Sequence, residues 1–283
     1  VGDLLIYHGT EQFFKDHYIN VTLKRCEYDL DLEEVKAKIT PNTTILLHGG
    51  GNFGDLYPQH QKIREEMVTN FPNNRIIVLP QTAYFKHEEN LQKSATLFRS
   101  HSDCHLLARD ERTENLFAQF SNHVYLSPDM AHQLYGTMET KQGTTGEQLY
   151  FLRKDIEASD VEKNILAKLP ANSNVKDWED ILSTEDDVVL AVSWRMSKMA
   201  NKFGLSWLKD LCHQFWYAYT QRIVKRVAQV FLANDKVTTT RLHGHIFSCL
   251  LEIPNRVCDN SYGKNSSYAK LWTKELDFVE LDK

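Results

Sequence analysis

Residues 45–55, ILLHGGGNFGD, decide how the first half of this chain is read. A short apolar run leads into Gly49, Gly50 and Gly51, and a fourth glycine follows at Gly54. Such a run, ending in glycine ahead of a helical pattern, reads as a buried strand entering a tight turn. Gly49, Gly51 and Gly54 also meet the spacing of a dinucleotide-binding fingerprint. That fingerprint requires an acid at the end of the next strand, to hold the ribose hydroxyls. The next run, RIIVLPQT, ends in Pro80 and Gln81 with no acid, and no G-K-[ST] follows the glycines. Neither a nicotinamide site nor a nucleotide P-loop is expected. Two readings stay open. The glycines could let the backbone approach an anion, with the following helix pointing N–H groups at it. Or they could form a tight strand–helix turn with no ligand.

Outward from this stretch, brief apolar runs at 4–8, 44–47, 75–79, 104–108 and 124–126, and a stretch at 21–26 with strand-like alternation, are interspersed with helical spacing at 30–39, 59–70 and 89–100. Runs apolar on both faces, alternating with helices, imply a parallel sheet covered on both sides. The strands are expected to end in HGGGN, LPQT, LARDE and LSPD, and ligands gather beyond the carboxyl ends of such strands. A polar, glycine-containing segment at 136–146 reads as a linker. The expected division is 1–140 and 147–283. The second part opens with the strand of QLYFLRKDIEAS. Leu208, Leu211, Cys212, Phe215, Trp216, Tyr219, Ile223, Val227 and Phe231 then recur at three- and four-residue steps, a stripe expected to be core. KVTTTRLHGHIFSCLLEIPNRVCDN reads as strand, turn, helix, strand.

The 283 residues suit two domains. The 33 Lys and Arg against 38 Asp and Glu give a net charge of −5, so no global basic field attracts nucleic acid. The five cysteines are dispersed with no C-x-x-C, which suits a reducing compartment and argues against a disulfide framework. No apolar run reaches membrane-spanning length. The N-x-S/T triplets at Asn20, Asn42 and Asn265 carry little weight, because chance alone supplies about one or two in a chain this rich in Asn. No histidine spacing or H-E-x-x-H suggests a metal.

Cations gather at strand ends. Arg241 and His243 follow a β-branched strand and precede an apolar helix. Arginine offers a planar fork for carboxylate or phosphate, and histidine passes protons near neutrality. The competing reading is an arginine paired with an aspartate and a histidine capping a turn. Arg109 closes HLLAR, Arg153 closes YFLR, Lys264 follows DNSYG, and His60 and Arg64 lie one helical turn apart. Together they describe a positive cleft for a small polyanion in an acidic protein. His245 is expected to pack into its helix.

HGGGNFGDLYPQHQKIRE, LPQT, YFLRKDIE, TTRLHGHIFSCLL and CDNSYGKNSSY, in this order over nearly the whole chain, resemble the polysaccharide pyruvyl transferase family. The resemblance implies α/β architecture with two Rossmann-like domains facing a cleft, similar to the GT-B arrangement. It implies transfer of pyruvate from phosphoenolpyruvate to a sugar of a cell-surface polysaccharide or its lipid-linked precursor, as a cyclic ketal, without metal or other cofactor. It puts the donor against Arg241, Leu242 and His243, with Arg109 and His60 contributing. In this reading His243 is the acid/base and Arg241 meets the departing phosphate. Arg109 or Arg153 holds the carboxylate. Asn52, Gln81 and Lys264 line the site, and Asp55 is a candidate base. The expected location is the cytoplasm, at most in peripheral contact with the membrane, or the Golgi lumen if an N-terminal anchor has been removed. A GT-B glycosyltransferase using a nucleotide sugar is the alternative.

Overall fold

The computed structural model describes residues 1–154, 160–259 and 264–282. Helices and strands are numbered in chain order. The first half holds α1 (Gly2–Asp16), α2 (Leu32–Lys38), β1 (Ile45–Leu47), β2 (Gly50–Gly54), α3 (Pro58–Asn70), β3 (Ile76–Tyr84), α4 (Glu88–Arg99), β4 (Cys104–Ala108), α5 (Glu111–Phe117) and β5 (His123–Leu126). The second holds β6 (Gln148–Phe151), α6 (Asp160–Leu166), β7 (Asn174–Lys176), α7 (Thr184–Lys202), α8 (Ser206–Leu232), β8 (Lys236–Thr239), α9 (Leu242–Leu250), β9 (Asn255–Val257), α10 (Lys264–Trp272) and β10 (Val279–Leu281).

The chain forms two compact units. A glycine-strand unit comprises Phe13–Met130 and Val192–Trp216, and an RLH unit comprises Val1–Gln12, Ala131–Ala191 and Tyr217–Lys283. This differs from a division at 1–140 and 147–283, because α1, α7 and α8 are each split between the units. The expected linker at 136–146 lies within the RLH unit. Asp235 ties it down, accepting the N–H groups of Thr145 at 2.8 Å and Gly146 at 2.7 Å and pairing with Lys141 at 3.0 Å.

In the glycine-strand unit all strand pairs are parallel, in the order β1-β3-β4-β5, with β2 also on β3. Phe53 centres its core, with ring centroids 4.8 Å from Phe117, 5.4 Å from Phe120 and 5.5 Å from Phe98. Two expectations change here. The glycine stretch is itself a strand, β2. PQT is not a strand end but lies inside the nine-residue β3, with Gln81 paired to Gly50 and Ala108. Pro80 cannot donate to a ladder, and the register of β3 shifts on both sides of it.

The run 21–26 forms no strand. Its alternation instead sends Arg25 inward to an ion cluster. Arg25 Nε donates to Glu34 at 3.0 Å, Nη1 to Asp210 at 2.6 Å and Nη2 to Ser206 at 2.9 Å. The run 4–8 is helical, not a strand. A five-residue run of Leu4, Leu5, Ile6, Tyr7 and His8 fits either element, and Leu5 and Ile6 bury fully as part of α1.

The RLH unit has the parallel order β10-β9-β8-β6-β7. Counted from β6 this is 2-1-3-4-5, the doubly wound order whose switch point lies between its first and third strands. Its core joins Leu149, Phe151 and Val237 of the sheet to Ile223, Val227 and Phe231 of α8 and Ile246, Phe247 and Leu250 of α9. The expected α8 stripe is therefore core only in part, since Leu211 and Phe215 remain half-exposed.

His245 is fully buried on α9, within 2.7 Å of Asn255 Oδ1 and 2.8 Å of Thr273 Oγ1. Burial pulls its pKa down to about 4, against an ordinary 6.5. The unfolded chain thus binds the proton first, and stability present above pH 6.5 is lost as pH falls toward 4. The loss approaches about 3 kcal/mol from this residue. His8, also pulled to about 4 by burial, acts in the same direction. Denaturant titrations from pH 7 to 4 are expected to show this slope, reduced in His245→Gln.

Candidate active site

At the switch point of the RLH unit, β6 runs into Leu152 and Arg153, while β8 runs into Thr240, Arg241 and α9. Thr239 stitches these ends together. Its hydroxyl donates to Phe151 O at 2.9 Å and accepts the Arg241 N–H at 3.0 Å. The half-buried Arg153 donates its N–H to Thr240 Oγ1 at 3.0 Å. The first turn of α9 presses on this seam. A Cβ at Gly244 would lie 2.5 Å from Thr239 Oγ1 and 2.8 Å from Phe151 Cδ1. Glycine is what lets a helix N-terminus, the favoured place for an anion, sit this close to the strand ends.

Arg241 is the N-cap of α9. Its guanidinium grips Asp177 with a two-pronged fork, Nε to Oδ1 at 2.5 Å and Nη2 to Oδ2 at 2.6 Å. Asp177, only 2% exposed, also accepts the N–H groups of Lys154 at 2.9 Å and Trp178 at 2.7 Å. It follows β7 directly, so one carboxylate joins the ends of β7, β6 and β8. The reading of Arg241 as an arginine paired with an aspartate is thus realised, and that pairing fixes the plane of the guanidinium. Asp177 was missed in the sequence. An acid directly after a short run, as in NVKD, is the signal that marks it.

Leu242 opens α9 and packs on the core. His243 follows, half-buried. Its ring lies against Gly2, where a Cβ would stand 2.6 Å from Nδ1 and 3.0 Å from Cγ. Lys264 begins α10, and its side chain lies outside the described residues. Asn265 is buried, with its amide donating to Thr240 O at 2.7 Å and Cys258 O at 3.1 Å, so this N-x-S triplet has no glycosylation role.

The glycine-strand unit assembles Asn52, Arg64, Gln81 and Arg109 around β2. Gly54 has φ +125° and a Cβ there would overlap Tyr84 O at 1.8 Å, so this glycine serves strand pairing. The helix after it starts only at Pro58, so the loop is not a phosphate cradle at a helix N-terminus. Arg64 is buried rather than a cleft cation. It donates to Asn52 O at 3.0 Å and to Asn52 Oδ1, and it sits over the Phe53 ring at 5.3 Å. Burial pulls its pKa down to about 9.

Arg109, 5% exposed, is held by a salt bridge to the fully buried Asp129 carboxylate and by Thr82 Oγ1 at 2.8 Å. Arg109 thus stands at the end of β4 as expected, with its guanidinium fixed by a buried carboxylate. Gln81 is fully buried. Its Nε2 donates to His48 O at 2.7 Å, and its Oε1 has no hydrogen-bond partner among the described residues. His60 lies half-buried on α3, its ring 6.3 Å from that of Tyr57.

Asp55 is not placed as a base. Its carboxylate accepts the N–H groups of Lys86 at 2.6 Å and His87 at 2.9 Å, and the Asn90 amide at 3.0 Å. Burial opposes ionisation, but these donors outweigh it and hold the carboxyl below its ordinary range. Asp55 instead anchors the start of α4, whose N-cap His87 makes no side-chain cap of its own.

One cluster with metal-ligand chemistry escapes any reading by spacing. Ligand atoms of Cys26, Asp29 and His213 lie within 4.8 Å of one another. Asp29 accepts from His213 Nε2 at 2.8 Å and from the Cys26 N–H at 2.7 Å, and burial pushes the Cys26 thiol up to about 12. These contacts pin the 26–29 turn to α8.

A parallel α/β unit thus sets Arg241 and His243 at the head of a helix beside its switch point, a place that favours anionic groups. The family model described as Polysaccharide pyruvyl transferase matches residues 1–262. The chain belongs to this family and is a transferase of the pyruvyl transferase type. It is 37% identical over 287 residues to "Putative pyruvyl transferase EpsO" of Bacillus subtilis, covering 99% of this chain and 84% of that protein. It is 28% identical to "Pyruvyl transferase 1" of Schizosaccharomyces pombe, covering 96% of this chain and 66% of that one. A crystal structure of an uncharacterised protein, KP1_0663 from Klebsiella pneumoniae, shares the fold. Its TM-score is 0.59 at 17% identity, over 100% of this chain and 88% of that one.

Proposed function

We propose that the protein transfers pyruvate from phosphoenolpyruvate to a sugar of a cell-surface polysaccharide or its lipid-linked precursor, forming a cyclic ketal. The observation that carries this reading is the pairing of Arg241 and His243 at the head of α9, beside the β6–β8 switch point, in a chain of the pyruvyl transferase family. Phosphoenolpyruvate carries a phosphate and a carboxylate, and Arg241, Arg153 and the α9 N-terminus supply the complementary charge.

The reaction balances in three steps. His243 gives a proton to C3 of the donor, and positive charge develops at C2. A sugar hydroxyl attacks C2 and the C2–O bond to phosphate breaks, the departing phosphate taking the bonding pair and being stabilised by Arg241. A second hydroxyl of the same sugar closes the ketal. Of the two hydroxyl protons released, one replaces that given to C3 and the other leaves with phosphate. On the resemblance, Asn52, Gln81, His60 and Lys264 remain candidate substrate contacts. Asp55 drops out because its carboxylate is taken up by the head of α4, whereas Arg109, held by Asp129 as Arg241 is held by Asp177, stays a candidate for the donor carboxylate.

Incubation with phosphoenolpyruvate and a panel of simple and lipid-linked glycosides tests this. Mass spectrometry is expected to find glycoside plus pyruvate minus water, with one phosphate released per product. Phosphoenolpyruvate left intact in every mixture, or product only from a nucleotide sugar, would overturn it.

A further inference from the structure

Within the glycine-strand unit, the C-terminal part of α7 and the start of α8 expose large apolar side chains where a soluble helix pair is normally polar. Met196, Met199 and Phe203 recur at three- and four-residue steps on α7, and Trp207 and Leu211 follow four apart on α8. Trp194 faces another side of α7 and packs edge-on to Tyr28 at 4.5 Å, and Phe203 and Trp207 are 63% and 65% exposed. Large apolar side chains exposed at such spacing mark a surface that docks on something.

The charges show what it docks on. Residues 192–209 contain no acid, while Arg195, Lys198 and Lys202 are all exposed, in a chain of net charge −5. Lys198 Nζ lies 4.7 Å from the Trp194 ring and Lys202 Nζ 5.9 Å from that of Phe203, so the cations stand among the aromatics. The nearest following acid, Asp210, pairs with Arg25 at 2.6 Å. Aromatic and aliphatic side chains interleaved with unbalanced cations are the composition of an interfacial helix lying on anionic lipid. A second copy fits less well, because a two-fold contact would set these same cations against each other. No helix among the described residues is long and apolar enough to cross a membrane, which leaves contact in the plane of the surface.

We propose that this α7–α8 elbow binds the surface of an anionic phospholipid bilayer. The inference is independent of the donor chemistry. The full chain is mixed with phosphatidylcholine vesicles, with or without phosphatidylglycerol, and sedimented. Binding is expected only with phosphatidylglycerol and is expected to weaken with salt. Lys198→Gln with Lys202→Gln is expected to lower partitioning about 25-fold, or fivefold per cation. Phe203→Ser with Trp207→Ser is expected to abolish it. Both pairs sit at exposed positions, and turnover of a soluble glycoside is expected to be unchanged. The proposal fails if the wild-type chain does not bind anionic vesicles, or if both variant pairs bind as well as wild type. It fails equally if the chain is a dimer that the Phe203→Ser/Trp207→Ser pair dissociates.

Discussion

His243→Ala is expected to lower kcat about a hundredfold or more, the usual size of a general acid–base contribution, while donor affinity falls far less. The imidazole stands at the second residue of α9, half-buried against Gly2, and in this reading its proton is the asset. As an acid it must be protonated, so wild-type kcat is expected to fall on the alkaline side, and that limb should vanish in the variant. Gly2→Ala gives an independent handle on the same group. Its methyl would stand 2.6 Å from His243 Nδ1, so the ring must swing away. A drop in kcat with unchanged donor affinity is expected there too, although no titratable group has been removed. Calorimetry of donor binding beside pH–rate profiles measures both. Loss of donor affinity in His243→Ala with an intact alkaline limb would make His243 a binding residue.

Arg241→Lys is expected to be nearly as damaging as Arg241→Ala. The fork to Asp177 uses Nε and Nη2 together, and an ammonium cannot reproduce two parallel donors. Either substitution takes the fork from the Asp177 carboxylate, buried at the junction of three strand ends, where the backbone N–H groups of Lys154, Trp178 and Asp180 remain. Breaking a buried pair in this way costs about 3–5 kcal/mol. Both variants should therefore unfold at lower denaturant and bind phosphoenolpyruvate more weakly, because the charge-assisted contact already exists in the ground state. Asp177→Ala should weaken donor binding as well, by releasing the guanidinium from its plane. A lysine variant with wild-type stability and donor affinity would show that Arg241 supplies only diffuse charge.

Much of the fold lies open in local patterns. The run 104–108 is β4, the helical spacing at 59–70 is α3 within a residue, and KVTTTRLHGHIF folds as strand, turn and helix. Burial on two faces writes itself into consecutive apolar residues, and a helix writes itself into steps of three and four. Where the pattern is short it fails. The five-residue run at 4–8 fits a strand as well as the helix it forms. The alternation at 21–26 records an inward arginine rather than a ladder. PQT looks like a strand end because proline and glutamine are poor strand formers, yet register shifts on either side of Pro80 carry β3 through it.

The candidate site divides in the same way. Residue types at strand ends pick out Arg241 and His243, because charge beyond a buried strand has few other uses. Partners cannot be picked out so. Arg109, Arg153 and Arg241 look alike in sequence, each a cation closing an apolar run. Only the folded chain gives Arg109 to Asp129 and Arg241 to Asp177, and turns Asp55 onto the head of α4. The sequence by itself thus determined the longer strands and helices, the family and the two residues that stand at the head of α9. Tertiary structure alone decided what each charged group touches, since a hydrogen bond depends on which strand ends are neighbours, and Asp177 reaches Arg241 from 64 residues away because β6 brings β7 and β8 to its two sides.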